Sequence, residues 1–355
     1  MRYQTRVALA ALILPALLVT GCSKKTAATS TPNSGGAAAA AKGQPDVNGD
    51  GKVVIGIMSP GDTHDNGYYQ SFVSEAESYA KQNGWEIRTV DKINTSDAVN
   101  QARNLCRQRV DLIAIGASEL KDALTAAPEP TCKGIEWYMS AGTGVTQTPY
   151  FAQSKDFVNE SLYAAGYAAG LVLKQNGGTK AGYITGPELD FSKQAAKAYT
   201  VGLKAVVPNA EVITTYTGDF DDSAKAKEAA RAQLAKGVKV LYPYLGGATD
   251  AVTGLANAAN VPALTPGTDR CADTTVKYAV SVIFSPGAYF AAVLKDFKAG
   301  TLKMGEAREF HLGKDPVPTV KICQPHGDQQ QKLQQVIQDV GAGKLNVDGL
   351  IAAAK

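Results

Sequence analysis

The sequence has little of several features that mark common protein classes. Its 355 residues include only three histidines, at positions 64, 311 and 326, and only two tryptophans. The 36 Lys and Arg residues nearly balance the 33 Asp and Glu residues, and no long basic run interrupts that balance. Because a nucleic-acid-binding protein usually carries a strong basic patch, we expect no nucleic-acid partner.

Motifs for catalysis and metal binding are incomplete. The segment 116–120 (GASEL) lacks the last glycine of a serine-hydrolase elbow, and 300–306 lacks the lysine that a P-loop requires. Cys323 and His326 have a zinc-like spacing, but no second pair of ligands accompanies them. The sequence therefore predicts neither an enzyme nor a cofactor or metal site.

The first residues are typical of an export signal. Arg2 and Arg6 precede an apolar run over 7–19, which is shorter than the roughly 20 residues of a membrane-spanning helix. We expect 1–21 to be a signal peptide. The following LVTGC resembles the bacterial lipobox, which makes Cys22 the expected lipidation site, the alternative being an incidental cysteine. A lipidated Cys22 would anchor the protein on the extracytoplasmic face of the cell membrane.

The rest of the chain divides into a tether and a body. Residues 22–51 are rich in Ser, Thr, Pro, Gly and Ala without apolar periodicity, which predicts a flexible tether. From residue 52 onwards, apolar runs with strand character alternate with helical patterns, beginning with a strand at 52–59. This alternation predicts an α/β protein built from doubly wound parallel sheets covered by helices.

Loops that follow the predicted strands hold the candidate binding residues. In open parallel sheets, ligands bind beyond the carboxyl ends of the strands. The carboxylates, amides and aromatic rings of these loops suit a small, hydroxylated, ring-shaped ligand. For each of them a turn or capping role is the alternative, and it is clearest for Asp221 and Asp222 before a helical stretch. The candidates are Asp65, Asn66, Tyr68, Tyr69, Ser118, Glu188, Phe191, Phe220, Asp221, Tyr244, Gly246, Gly247 and Asp269.

Several segments carry the motifs of a known family. ESLYAAG at 160–166 resembles E-x-x-Y-L-A-G, and GDFDDSAKAKE at 218–228 is similar to G-S-F-N-D-P-A-K-G-K-E. Further similar segments are 65–71, 179–188, 202–209 and 246–247. Together they resemble the basic-membrane-protein (BMP) family of substrate-binding lipoproteins, whose characterised branch binds purine nucleosides for ABC importers. The resemblance covers roughly 52–345.

The resemblance implies a fold and a function. The fold is the type I periplasmic-binding-protein fold, in which two lobes are joined by a hinge. We expect one lobe to comprise 52–152 and 281–320, and the other 153–280 and 321–355. The implied function is capture of a nucleoside by a monomer and its delivery to an ABC permease in the membrane. A sugar-type binding protein and a ligand sensor or surface interaction lipoprotein on the same fold are the alternatives.

The resemblance also implies roles for single residues. Asp65 would hydrogen-bond the ligand, Tyr68 and Phe220 would stack on it, and Asp269 would accept from ribose hydroxyls. Gly246 and Gly247 would allow close approach of the backbone. Two positions depart from the family, because Phe284 stands where a Lys is usual and Tyr69 where an Asn is usual.

Four cysteines remain after Cys22. In an exported body an even number of cysteines favours disulfides, and four allow three pairings. We prefer Cys106–Cys132 and Cys271–Cys323, because each of these pairs closes a local segment.

Overall fold

A computed structural model of the chain describes residues 45–140 and 144–354. The predicted signal peptide, the lipidation site Cys22 and most of the predicted tether lie outside the described residues. The loop 141–143 lies outside them as well. Within the described part, strands and helices alternate along the chain as the sequence predicts.

The strands and helices have the following bounds. The strands are β1 Val54–Met58, β2 Glu86–Val90, β3 Leu112–Ile115, β4 Glu136–Ser140, β5 Ala152–Asp156, β6 Lys180–Thr185, β7 Glu211–Tyr216, β8 Leu241–Tyr244, β9 Leu264–Gly267, β10 Val280–Ile283, β11 Ala307–Phe310 and β12 Thr319–Ile322. The helices are α1 Tyr68–Asn83, α2 Ala98–Arg107, α3 Val158–Gln175, α4 Asp190–Val206, α5 Ser223–Ala235, α6 Thr249–Ala258, α7 Pro286–Lys298, α8 Gln329–Gly341 and α9 Val347–Ala353.

The first lobe is built on a parallel sheet of six strands, in the order β11-β5-β4-β3-β1-β2. The central strands β1 and β3 are wholly buried, which explains why they are continuous apolar runs rather than alternating ones. On one face, Phe72 of α1 stacks on Phe290 of α7 with ring centroids 4.6 Å apart, and Tyr138 of β4 joins them. The sheet and these helices form one continuous apolar core.

The second lobe contains two three-stranded sheets, β7-β6-β8 and β12-β10-β9. A bridge between Leu241 and Ala263 links them, and only the β10–β12 pair is antiparallel among the strand pairs described. Helices α3, α4 and α8 pack on this lobe through a core that includes Tyr183, Tyr199 and Leu333. The two lobes of mainly parallel strands under helices confirm the predicted α/β class.

The chain passes between the lobes three times. It crosses after β5, after β10 and between β11 and β12. The lobes that the sheets define begin and end a few residues away from the predicted boundaries. The first lobe, predicted to end at residue 152, continues to Asp156, because β5 belongs to its sheet. Strands β10 and β12 instead pair within the second lobe. These three crossovers connect the two lobes.

The four body cysteines are paired as preferred from the sequence. Cys106, in the last turn of α2, is bonded to Cys132, and both are buried. Cys271, which follows β9, is bonded to Cys323 next to the end of β12. Each bond therefore joins a loop to a neighbouring element of its own lobe.

Candidate functional site

A cavity of about 190 Å3 lies where the carboxyl ends of strands from both lobes meet. The first lobe lines it with residues at the start of α1 and at the ends of β3, β4 and β5. The second lobe contributes residues at or after the ends of β7, β8, β9 and β10. Since ligand pockets are typically about 300–1,000 Å3, this cavity suits a small occupant.

The cavity brings together about half of the predicted binding residues. Those that line it come from both lobes, and most of them are aromatic. They are Tyr68, Tyr69, Ser118, Phe191, Phe220, Tyr244 and Gly246.

Asp65 positions the start of α1 rather than lining the cavity. Its carboxylate accepts from the backbone N–H groups of Gly67 at 2.8 Å, Tyr69 at 3.3 Å and Gln70 at 3.0 Å. The first N–H groups of a helix have no partner inside it, so a carboxylate here stabilises the first turn. Asp65 thereby holds Tyr68 and Tyr69 at the cavity wall.

Aromatic rings of the second lobe line the cavity as well. Phe191, in the first turn of α4, lies 6.3 Å from Phe220 between ring centroids, with the two planes 17° from parallel. Tyr244 and Phe284 meet edge to face, also at 6.3 Å. Because an aromatic pair contributes about 0.5–1.5 kcal/mol beyond its buried area, these rings favour a ligand that contains a ring.

Asp221 and Asp222 both act on the backbone. Asp221 accepts a hydrogen bond from the Gly247 N–H at 2.6 Å, and a side chain at Gly246 would collide with this carboxylate. Asp222 caps α5 by accepting from the N–H groups of Ala224 and Lys225, each at 3.0 Å. The capping alternative therefore holds for Asp222, while Asp221 shapes the glycine turn beside the cavity.

Asp269 differs most from its predicted position. The chain reaches the cavity at Pro266 and Gly267 and then turns away, so Asp269 does not line it. Its carboxylate instead pairs with Lys321 at 2.8 Å and accepts from the Cys271 N–H at 3.0 Å. The predicted residues that likewise lie outside the lining are Asp65, Asn66, Glu188, Asp221 and Gly247.

The structure adds cavity residues that the sequence did not predict. Ser140 and Asp156 end β4 and β5, so the carboxyl-end rule would have found Asp156 if β5 had been recognised as a strand. Others come from the crossover after β5 and from helices of the second lobe. Phe284, which the resemblance puts where a Lys is usual, lines the cavity. The added polar residues are Glu119, Ser140, Asp156, Asn159, Glu160, Gln194 and Asp348, and the added aromatic one is Phe157.

Two of these carboxyl groups are strongly desolvated. Burial raises the pKa of Glu119, and burial raises the pKa of Asp156 to about 6. Asp156 is only 9% exposed, and its negative charge acts on the tyrosines around it, Tyr68, Tyr138, Tyr244 and Tyr289. At neutral pH Asp156 is ionised at a cost in free energy, and burial opposes the ionisation of Glu119 as well.

The substitution Asp156→Asn should stabilise the protein at neutral pH. An unfolded Asp has a pKa of about 3.9, so between pH 4 and about 6 the unfolded chain releases a proton that the folded one keeps. Stability therefore falls as pH rises through this range, by up to about 3 kcal/mol. We expect the variant to gain about 1–3 kcal/mol at pH 7.5 and almost nothing at pH 4, measured by urea unfolding. Asp122→Asn, at an exposed position, is the control, and an equal gain at both pH values would contradict the account.

Two features are absent from the described residues, a cluster of metal-ligating side chains and a helix that could cross a membrane. No group of His, Cys, Asp and Glu side chains there is arranged to hold a metal ion. None of the helices in that part of the chain is both long and apolar enough to cross a membrane.

Comparisons with known proteins agree with this architecture. The family model of Bmp, described as "ABC transporter substrate-binding protein PnrA-like", matches residues 52–345. The "ABC transporter nucleoside-binding protein BmpA" of Lactococcus lactis is 31% identical over 206 residues, which are 56% of this chain and 56% of that protein. The chain thus spans about half the length of the curated relatives it matches.

Two solved structures show the same fold. Both are solute-binding proteins of ABC transporter systems. The protein from Conexibacter woesei is 23% identical with a TM-score of 0.65, and covers 83% of this chain and 98% of its own. The protein from Aeropyrum pernix is 17% identical with a TM-score of 0.67. The match covers 84% of this chain and 90% of that protein. The predicted periplasmic-binding-protein fold is therefore confirmed.

Proposed function

Because the chain belongs to the Bmp family of PnrA-like ABC transporter substrate-binding proteins, we propose that it captures one small solute between its lobes and delivers it to an ABC importer. The observation that carries this proposal is the cavity at the carboxyl ends of strands from both lobes. A solute held there touches both lobes at once. The protein acts by binding, and the solute leaves chemically unchanged.

A nucleoside is the proposed ligand. The Lactococcus lactis relative is named a nucleoside-binding protein, and the cavity of this chain supports the same class. Its aromatic rings suit a planar base, while Ser118, Asn159 and Gln194 offer polar groups for hydroxyls and amides. A small cavity lined by both aromatic rings and polar groups favours a compound with one planar base and a few hydroxyl or amide groups.

Closure of the lobes is the proposed signal to the importer. A ligand shifts an open–closed equilibrium only by its higher affinity for the closed form. Contacts made simultaneously with Tyr68 of the first lobe and Phe220 of the second exist only when the lobes are close together. The permease would then recognise the closed protein and accept the solute from it.

Attachment to the outside of the cell membrane through a lipid on Cys22 completes the proposal. The lipobox-like sequence before Cys22 and the polar tether after it support this location. The two disulfides are in keeping with it, because such bonds persist in oxidising, extracytoplasmic compartments.

A thermal-shift panel on the purified protein tests the ligand class. The panel contains purine and pyrimidine nucleosides, free bases, pentoses and hexoses. A true ligand at 100 times its dissociation constant should stabilise the folded state by about 2.7 kcal/mol. We expect a shift with at least one nucleoside. A shift with sugars alone would favour the sugar-type alternative, and no shift from a folded protein would favour the sensor or interaction alternative.

A further inference from the structure

The charges that line the cavity are all of one sign. Four carboxyl side chains line it, those of Glu119, Asp156, Glu160 and Asp348. Among the described lining residues there is no Lys, Arg or His. Residues 141–143, which lie outside the described part, are Ala, Gly and Thr and have no basic side chain.

Two of the four carboxylates already have partners in the protein. Glu160 lies 3.0 Å from the Nδ1 atom of His311 and accepts from the Leu312 N–H at 3.0 Å. Asp348 accepts from the Asn159 amide at 2.9 Å. The protein itself therefore supplies hydrogen-bond partners for these two carboxylates.

Glu119 and Asp156 are different. In the part of the chain that is described, neither forms an ion pair, and Glu119 accepts from its own backbone N–H and from the hydroxyl groups of Tyr69 and of Ser118, whose Oγ lies at 3.5 Å. Asp156 is more than nine-tenths buried, and no other side chain of that part donates a hydrogen bond to it. Both are thus acceptors at the cavity wall whose negative charge the described residues do not neutralise.

The same two tyrosines lie beside both carboxylates. Burial, and then the negative charges of Asp156 and Glu119, raise the pKa of Tyr68 and of Tyr244. Glu119, Asp156, Tyr68 and Tyr244 all line the same cavity, so a ligand in it meets the two carboxylates and the two rings together. We call Glu119, Asp156, Tyr68 and Tyr244 the acidic cage.

Burying a carboxylate without a cation is unfavourable, and a cation brought in by the ligand would remove that penalty. Aromatic rings within a few ångströms add to the attraction of a cation. We propose that the solute is a small organic cation with a ring, whose positive charge lies in the acidic cage. This assignment rests on the proposed function, and it narrows the ligand to a positively charged nucleoside or similar ring compound.

Matched pairs of compounds test the charge separately from shape. One pair is 1-methyladenosine, a cation at neutral pH, and its uncharged isomer N6-methyladenosine. The other pair is 1-methylnicotinamide, a permanently charged ring compound, and its uncharged isostere 3-methylbenzamide. We expect the cation to bind at least about tenfold more tightly than its neutral partner in at least one pair, measured by calorimetric titration of the purified protein. Equal or weaker binding of the cation in both pairs would overturn the proposal.

Uncharged compounds distinguish a failure of the charge assignment from a failure of the proposed solute capture. If none of the four compounds binds, the charge assignment is overturned. A thermal shift with uncharged nucleosides or sugars would in that case leave solute capture standing.

Two variants test whether the positive charge of the ligand binds in the acidic cage. Glu119→Gln and Asp156→Asn keep the shape of each side chain and remove its charge. Each should reduce the preference for the cation over its neutral partner to less than about threefold. Asp122→Asn removes one exposed charge of the same sign and should leave the preference unchanged. An unchanged preference in both cage variants would place the cation elsewhere and overturn the assignment.

Discussion

The substitution Gly202→Ala should destabilise the second lobe by at least about 3 kcal/mol. Helices α3 and α4 cross here so closely that a Cβ atom on Gly202 would lie 2.8 Å from the carbonyl carbon of Tyr163 and closer still to its oxygen. Gly166 on α3 meets the backbone of Tyr199 in the same way. Because the obstacle is backbone rather than a flexible side chain, the helices can relieve the collision only by moving apart.

Such a movement would also change the cavity. Asn159 and Glu160 lie in the first turn of α3, and Phe191 and Gln194 lie in the first turns of α4. We therefore expect Gly202→Ala to lower both the free energy of unfolding in urea and the affinity for the solute.

Gly254→Ala is a matched control within the same lobe. Gly254 lies inside α6, and no atom lies within 4 Å of the position its Cβ would take. Alanine is the better helix former, so this variant should gain about 0.4–1 kcal/mol. Equal effects of the two substitutions would contradict the close crossing of α3 and α4.

Loss of the Cys271–Cys323 bond should cost the folded protein about 4 kcal/mol. The bond closes a segment of 52 residues, and in the chain-entropy description such a link restricts the unfolded chain by about that amount. Cys106–Cys132 closes 26 residues and should contribute about 3.5 kcal/mol. Urea unfolding of the double variant Cys271→Ser, Cys323→Ser is the measurement.

Reductant provides the control for this prediction. It should lower the stability of the natural protein and have no effect on a variant in which all four body cysteines are serine. If the natural protein unfolds at the same urea concentration with and without reductant, the bonds do not contribute as described.

Elements with a strong apolar pattern could be predicted from the sequence. Strands β1 and β3 are continuous apolar runs because helices cover both faces of their sheet, and that pattern needs no tertiary information. Helix α5 begins directly after Asp222, where the sequence predicts a helical stretch, because Asp222 provides a recognisable N-cap.

Other elements carry no such pattern. Strand β5 reads Ala-Gln-Ser-Lys-Asp, and its burial comes from neighbouring strands and from the cavity rather than from its own hydrophobicity. Strand β11 is mostly exposed and pairs only with β5 among the described strands. Missing β5 also meant missing Asp156, which is the end of that strand.

The candidate site was predictable in its location but not in every residue. The carboxyl-end rule found the loops that hold Tyr68, Phe220 and Tyr244. It could not separate a carboxylate that faces the cavity from one that binds backbone, as Asp65 does, or one that pairs with a lysine, as Asp269 does. That difference depends on side-chain neighbours distant in sequence, such as Lys321.

Calorimetric titration of single-ring variants tests the central claim most directly. The titrant is the solute that gives the largest shift in the thermal panel, and the variants are Tyr68→Ala in the first lobe and Phe220→Ala in the second. Tyr150→Ala, which removes a ring that is 51% exposed, is the control. The account predicts one solute per chain and a loss of affinity of at least about fivefold in each of the two variants but not in the control. Full affinity in both variants would contradict binding between the lobes.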